Sequence, residues 1–175
     1  MDSKTENLLE VNHLSVSFRT YAGTVRAVRD LSFSVNRGET IAIVGESGSG
    51  KSVTVKSIMG ILAKNAVVDQ GSIMYEGKDL LKLSEEEYHT IRGKKIGLIF
   101  QDPLSALNPL MTIGKQIMEV MTLGRGMSKA EARSRALDLM KAVGIPEPEI
   151  RFRQYPFQFS GGMRQRIVIA IALAN

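Results

Sequence analysis

The eight residues GESGSGKS, 45 to 52, constrain this chain more than any other stretch. They fit the phosphate-loop pattern G-x-x-x-x-G-K-[ST] at every specified position. Gly45, Gly48 and Gly50 allow backbone conformations that a side chain would block, so Glu46, Ser47, Ser49 and Val53 can turn their amides inward with them. Lys51 would then reach the β- and γ-phosphates of a nucleotide, and the Ser52 hydroxyl would ligate Mg²⁺. Before the loop runs TIAIV, residues 40 to 44, a continuous apolar run suited to a strand buried on both faces of a parallel sheet. After it runs VTVKSIMGIL, residues 53 to 62, with Val55, Ile58, Met59 and Leu62 at helical spacing. Strand, glycine loop and helix follow in the order phosphate binding needs, because a helix N-terminus adds its own positive end.

Composition narrows the classes. The length of 175 residues and an apolar fraction of 43% suit one packed domain. There are no cysteines, which excludes disulfide frameworks and thiolate metal sites. No apolar run approaches the roughly 20 residues a membrane span needs. The start, MDSKTENLLE, has acids at residues 2 and 6 and no apolar core, so it does not read as a secretory signal. Lys plus Arg number 23 against 18 Asp plus Glu, a net charge of +5. That mild excess is compatible with phosphate, an anionic membrane, nucleic acid or simply a basic solvated surface.

Residues 8 to 18 alternate so that Leu14, Val16 and Phe18 share a face, and residues 25 to 35 repeat this with Leu31, Phe33 and Val35. They predict two strands of a half-exposed antiparallel sheet, connected through Tyr21, Ala22 and Gly23. Residues 71 to 76 predict a short strand with Ile73 and Tyr75 on one side. Ser84 with Glu87, and Ser128 with Glu131, have capping-box spacing. KIGLIFQ, residues 95 to 101, predicts an apolar strand whose end places Gln101 at a ligand crevice. Residues 102 to 110 hold two prolines and predict irregular chain. Residues 113 to 122 predict a helix, and a second follows Ser128 with Ala132, Ala136, Leu139, Met140 and Val143 on one face, ended by Gly144 and Pro146. Residues 158 to 175 predict a buried helix capped by Ser160 and opened by Gly161 and Gly162. Taken alone, that last element is a capped core helix.

GESGSGKS, Gln101 and FSGGMRQR (residues 159 to 166), in that order, resemble the ATP-binding subunit of an ABC transporter. IRGKKIGLIFQDPLSALNP (91 to 109) and YPFQFSGGMRQR (155 to 166) are similar to the dipeptide/oligopeptide importer branch. The resemblance covers nearly the whole chain. It implies an α/β fold: a P-loop NTPase (RecA-like) core with an N-terminal antiparallel β-subdomain and an α-helical subdomain. The expected division is core over 8–101, helical subdomain over 102–159 and signature helix over 160–175. The family's next elements, a strand closing on Asp-Glu and a switch His, find no match before Asn175, so the sheet is expected to be incomplete and the 175 residues to bind ATP without hydrolysing it. His13 and His89 are expected to be surface residues that do not replace that switch His.

The resemblance also implies roles. Gly45 to Ser52 hold ATP and Mg²⁺, with Lys51 and Gln101 as catalytic residues and Ser52 and Gln101 at the metal. Ser160, Gly161, Gly162 and Met163 bind the γ-phosphate of an ATP held by an opposite subunit, with Met163 where the family usually has Gln. Tyr21 is the candidate to stack on adenine, although counting back from Gly45 puts Ala22 at the usual spacing. Implied partners are membrane-spanning permease subunits, a second ATP-binding subunit in a head-to-tail dimer and, indirectly, an extracytoplasmic peptide-binding protein. The implied location is peripheral, on the cytoplasmic face of the cell membrane. Alternative readings are an ABC-type ATPase acting on nucleic acid and a non-catalytic binding module. No Lys/Arg-rich run of five or more residues supports the former.

Overall fold

Alternating apolar residues build a long hairpin at the start of the chain. In the computed structural model, which describes residues 7–175, strand β1 is Asn7–Thr20 and β2 is Gly23–Asn36. The reading of the leader concerns Met1–Glu6 and so lies largely outside the described residues. β1 and β2 pair antiparallel across the tight turn at Tyr21 and Ala22. The third strand, β3, is Ala66–Tyr75, and a short β4, Lys78–Asp79, folds back on it, giving the sheet order β2-β1-β3-β4. β3 thus starts five residues before the predicted strand at residue 71. Val11, Leu14, Val16, Ile73 and Tyr75 are buried on this sheet.

Val11 and Leu14 are both buried although three positions apart, which breaks the period of two. The cause is a bulge: His13 takes φ 49° between Val11 and Leu14, and on β2 Asp30 takes φ 48° at the next register shift, between Leu31 and Val28. The amides that leave the ladder there are taken by serines across the strand pair. His13 N donates to Ser32 Oγ at 2.8 Å and Asp30 N to Ser15 Oγ at 3.0 Å. His13 Nδ1 lies 2.7 Å from Asp30 Oδ1, and both side chains are exposed. His89 is exposed too. On β3, Gly71 (φ +102°) faces the same place; a Cβ there would fall 2.6 Å from Asn12 O.

Helix α1 is Lys51–Ile58, shorter than the predicted 53 to 62. Gly60, at φ 61°, ends it, and Ile61 N donates back to Lys56 O at 3.0 Å. Leu62 therefore lies outside the helix, and the buried face is Thr54, Ser57 and Ile58. A 3₁₀ turn, Leu80–Lys82, and α2, Glu85–Ile91, complete this part, with both arms of the Ser84–Glu87 capping box formed.

Two predicted strands are not formed. Residues 40–44 and 95–101 have no ladder among the described residues, and Ile41, Val44, Ile99 and Phe100 are exposed. An apolar run states what a strand would bury. It becomes a strand only when a neighbouring strand takes up its amides and carbonyls in succession, and here the contacts are isolated ones, such as Gly93 N donating to Ile96 O at 2.9 Å.

The chain forms two units, one up to Arg92 and one from Gly93 to Asn175. The second is helical: α3 Pro103–Ala106, α4 Ile113–Arg125, α5 Lys129–Ala142, α6 Pro148–Arg151 and α7 Gly161–Leu173. α3 corrects the expectation of irregular chain over 102–110. Pro103 sits at the first helical position, where its missing N–H costs nothing, and Asp102 caps the turn through Leu104 N at 2.9 Å. Ile113, Ile117, Met121, Ala136, Met140 and Ile167 are fully buried and form the core of this unit.

The Ser128–Glu131 capping box of α5 is complete. Hydrogen bonding from Ser128 holds the Glu131 carboxyl below the usual carboxylate range. Its folded value lies below its unfolded one, so its stabilisation is complete above the unfolded value and fades as pH falls through the folded one. Ser128→Ala is expected to cost about 1 kcal/mol at neutral pH. Denaturant midpoints should show that difference narrowing in acid; a constant difference would uncouple the serine from Glu131.

Candidate functional site

The loop from Gly45 to Gly50 runs straight into α1, and Gly50 is the residue before its first turn. Gly50 takes φ 90°, and a Cβ on it would fall 2.5 Å from Ala27 O. At Gly45 a Cβ would meet Ser49 Oγ at 2.6 Å. Gly50 therefore needs glycine for both conformation and space, whereas a side chain at residue 45 would require the Ser49 hydroxyl to turn aside. Thr54, 1% exposed, fixes the junction: its amide and its hydroxyl both donate to Gly50 O, at 2.9 and 3.1 Å. Sequence reading passed over Thr54; a Thr four residues after a loop glycine was the available signal.

Lys51 curls back over the loop. Its ammonium donates to Gly45 O and Glu46 O, both at 2.6 Å, and to Ser49 Oγ at 3.3 Å. All three of its donors are thus used to hold the positive charge at the loop. Ser49 N donates to Glu46 O at 3.2 Å. Among the described residues, no side chain caps the start of α1. The first-turn amides and the Ser52 hydroxyl, on an exposed residue, open toward solvent. Glycine cradle and uncapped helix start offer amide donors, and the ammonium held beside them adds positive charge, a combination matched to a chain of phosphates. Tyr21, at the hairpin tip, is fully exposed and makes no ring contact among the described residues.

The other singled-out residues lie in the helical unit. Ser160 caps α7, with its hydroxyl accepting from Met163 N at 3.4 Å. Gly161 and Gly162 are exposed, and a Cβ on either would meet nothing within 4 Å. Arg164 steadies the approach by donating from Nε to Pro156 O at 2.8 Å. The start of α4 helps from further back. Ile113 N and Gly114 N donate to Gln154 O and Phe152 O, both at 2.9 Å, so the chain leading toward Ser160 satisfies the first amides of that helix. Gly114 has no room for a side chain, since a Cβ would lie 2.3 Å from the Phe152 ring. Gln101 is exposed just before α3, and the preceding Phe100 O accepts a long 3.5 Å bond from Gln165 Nε2 of α7. The structure thus assembles residues 45–53 in one unit and brings Gln101's neighbour to α7 in the other.

Comparison with known proteins agrees with this geometry. The sequence model of the family described as "ABC transporter" matches residues 28–175. The dipeptide transport ATP-binding protein DppD of Lactococcus lactis subsp. cremoris (strain MG1363) is 57% identical over 170 residues, covering 97% of this chain and 49% of that protein. The oligopeptide transport ATP-binding protein OppD of Bacillus subtilis (strain 168) is 54% identical over 172 residues, covering 98% and 48%. The chain spans about half the length of the curated relatives it matches. Among solved structures, the dimeric post-hydrolysis state of the ATP-binding cassette MJ0796, bound to ADP and Pi, superposes with a TM-score of 0.83 at 30% identity, covering 95% of this chain and 69% of that one. The cbiO1 component of the cbiONQ ABC transporter complex from Clostridium perfringens gives 0.73 at 26% identity, covering 96% and 61%. The antiparallel sheet, phosphate loop and helical unit are therefore those of an ABC ATPase cassette.

Proposed function

Because the chain belongs to the ABC transporter family, we propose that it is the nucleotide-binding portion of a subunit that couples ATP to the import of dipeptides and oligopeptides. The observation that carries this is the loop 45–50 opening into α1 with the Lys51 ammonium held over it. The substrate class is that named for the relatives DppD and OppD. Gly45 to Ser52 would hold the phosphates of ATP. Mg²⁺, when bound, supplies charge neutralisation of the β- and γ-phosphate oxygens. Among the described residues no cluster of His, Cys, Asp or Glu could hold a metal unaided. In this reading the Ser52 hydroxyl, with the nucleotide's own oxygens, would hold the Mg²⁺. The start of α7, Ser160 to Met163, would meet the γ-phosphate of an ATP held by a second subunit.

The partners in this reading are membrane-spanning permeases and a second ATP-binding subunit, with a peptide-binding protein acting outside the membrane. No helix among the described residues is long and apolar enough to cross a membrane. The proposed place is peripheral, on the permeases' cytoplasmic face.

Reconstitution tests the reading. The full-length subunit, joined to its permeases in vesicles, should take up a labelled tripeptide only when ATP is supplied. ATP turnover with no dependence of peptide uptake on ATP would overturn it.

A further inference from the structure

The phosphate loop stands at one end of a helix of only eight residues. Such a helix is about 12 Å long. Thr54, Ser57 and Ile58 bury one face of it, and over so short a span what holds its far end also helps to aim the loop. Among the described residues, the side chain of Arg92 reaches the backbone of that far end. Its Nε donates to Met59 O at 2.7 Å and its Nη2 to Gly60 O at 2.7 Å. These carbonyls belong to the turn that closes α1, where acceptors lack partners within the helix. The other side of the fork is engaged as well. Nη1 donates to Glu85 Oε2 at 2.8 Å, and Nη2 reaches Glu85 Oε1 at 3.3 Å. The guanidinium carbon lies 4.3 Å from the centre of the Tyr88 ring. Glu85 and Tyr88 are both on α2, so Arg92 ties the end of α1 to that helix.

The turn is shaped around this grip. Gly60 has φ +61°, and a Cβ on it would fall 2.6 Å from Tyr88 Cζ and 2.8 Å from Arg92 Nη2. A simple cationic cap would need only a positive charge near the helix end. Here a planar fork is used on both edges and one face, which a lysine cannot reproduce.

We propose that Arg92 is a positioning residue for the nucleotide site: by clasping Met59 and Gly60 to Glu85 and Tyr88, it fixes the direction of α1 and so the aim of the loop amides. This rests on the nucleotide reading given above. Arg92 itself touches neither loop nor phosphate.

The test uses the full-length subunit, titrated with a fluorescent ATP analogue, beside circular dichroism and thermal midpoints. Arg92→Lys keeps the charge and removes the fork. Its affinity for the analogue should fall about tenfold, the scale of one charge-assisted hydrogen bond, with the folded signal retained. Gly60→Ala should weaken binding in the same way, and the double variant should lose much less than the two single losses added. Arg92→Lys binding at parental affinity would overturn the proposal and leave a plain helix cap. A lowered midpoint with unchanged affinity would overturn it too. Lys51→Ala is the control: if it binds as the parent does, the nucleotide reading has failed and this inference goes with it. If Lys51→Ala loses binding and Arg92→Lys does not, the clasp alone is wrong.

Discussion

Lys51→Ala is expected to weaken ATP binding by about 100-fold, the loss of charge-assisted contacts to more than one phosphate oxygen. The fold should tolerate it. The carbonyls the ammonium now serves, Gly45 O and Glu46 O, belong to exposed residues and can turn to water. Circular dichroism should be unchanged while a fluorescent ATP analogue no longer saturates at concentrations that fill the parent. Equal affinity in the two proteins would remove the loop from the mechanism, because the same lysine supplies both the charge and the geometry on which the site depends.

The second large effect is expected at the other end of the chain. In the full-length subunit, Gly161→Asp should spare the fold and nucleotide binding by the monomer yet lower ATP turnover at least about 100-fold, as the loss of a preorganised anion-stabilising group does. Space is available, because a Cβ at residue 161 meets nothing within 4 Å. A carboxylate in the first turn of α7 even suits the helix dipole. What it opposes is the γ-phosphate that, in the proposed head-to-tail dimer, comes to that helix start from the opposite subunit. Steady-state hydrolysis measured beside analogue binding separates the two outcomes. Turnover at the parental rate would show that the start of α7 does not meet phosphate.

Features carried by local chemistry were legible in the sequence. The loop needs glycines at fixed steps, and the chain shows them. Both serine–glutamate capping boxes form, because box partners sit three residues apart and meet wherever a helix starts. Ser160 caps α7 for the same reason. The hairpin was legible because its partners are adjacent in sequence. The runs at 40–44 and 95–101 were misread because their apolar residues record a preference for burial, while a strand also requires a distant neighbour. Residues 66–70 escaped notice because Gly71 interrupts the alternation, and the reason for that glycine lies on β1. Arg92 was invisible for a similar reason: its two carbonyl partners are 32 and 33 residues away, and backbone acceptors leave no mark in a sequence.

The aligned irregularities of the sheet have a further effect. His13, Asp30 and Gly71 interrupt neighbouring strands at one level, and the backbone there fits only when all three coincide. Sliding β2 along β1 by a single step would strand both left-handed residues against ordinary extended chain, separate the imidazole from its carboxylate and swing the buried Val28 of β2 into water. The hairpin therefore acts as a keyed joint. Because Ala27 of that hairpin backs Gly50, the key also sets the floor beneath the phosphate loop before any nucleotide arrives.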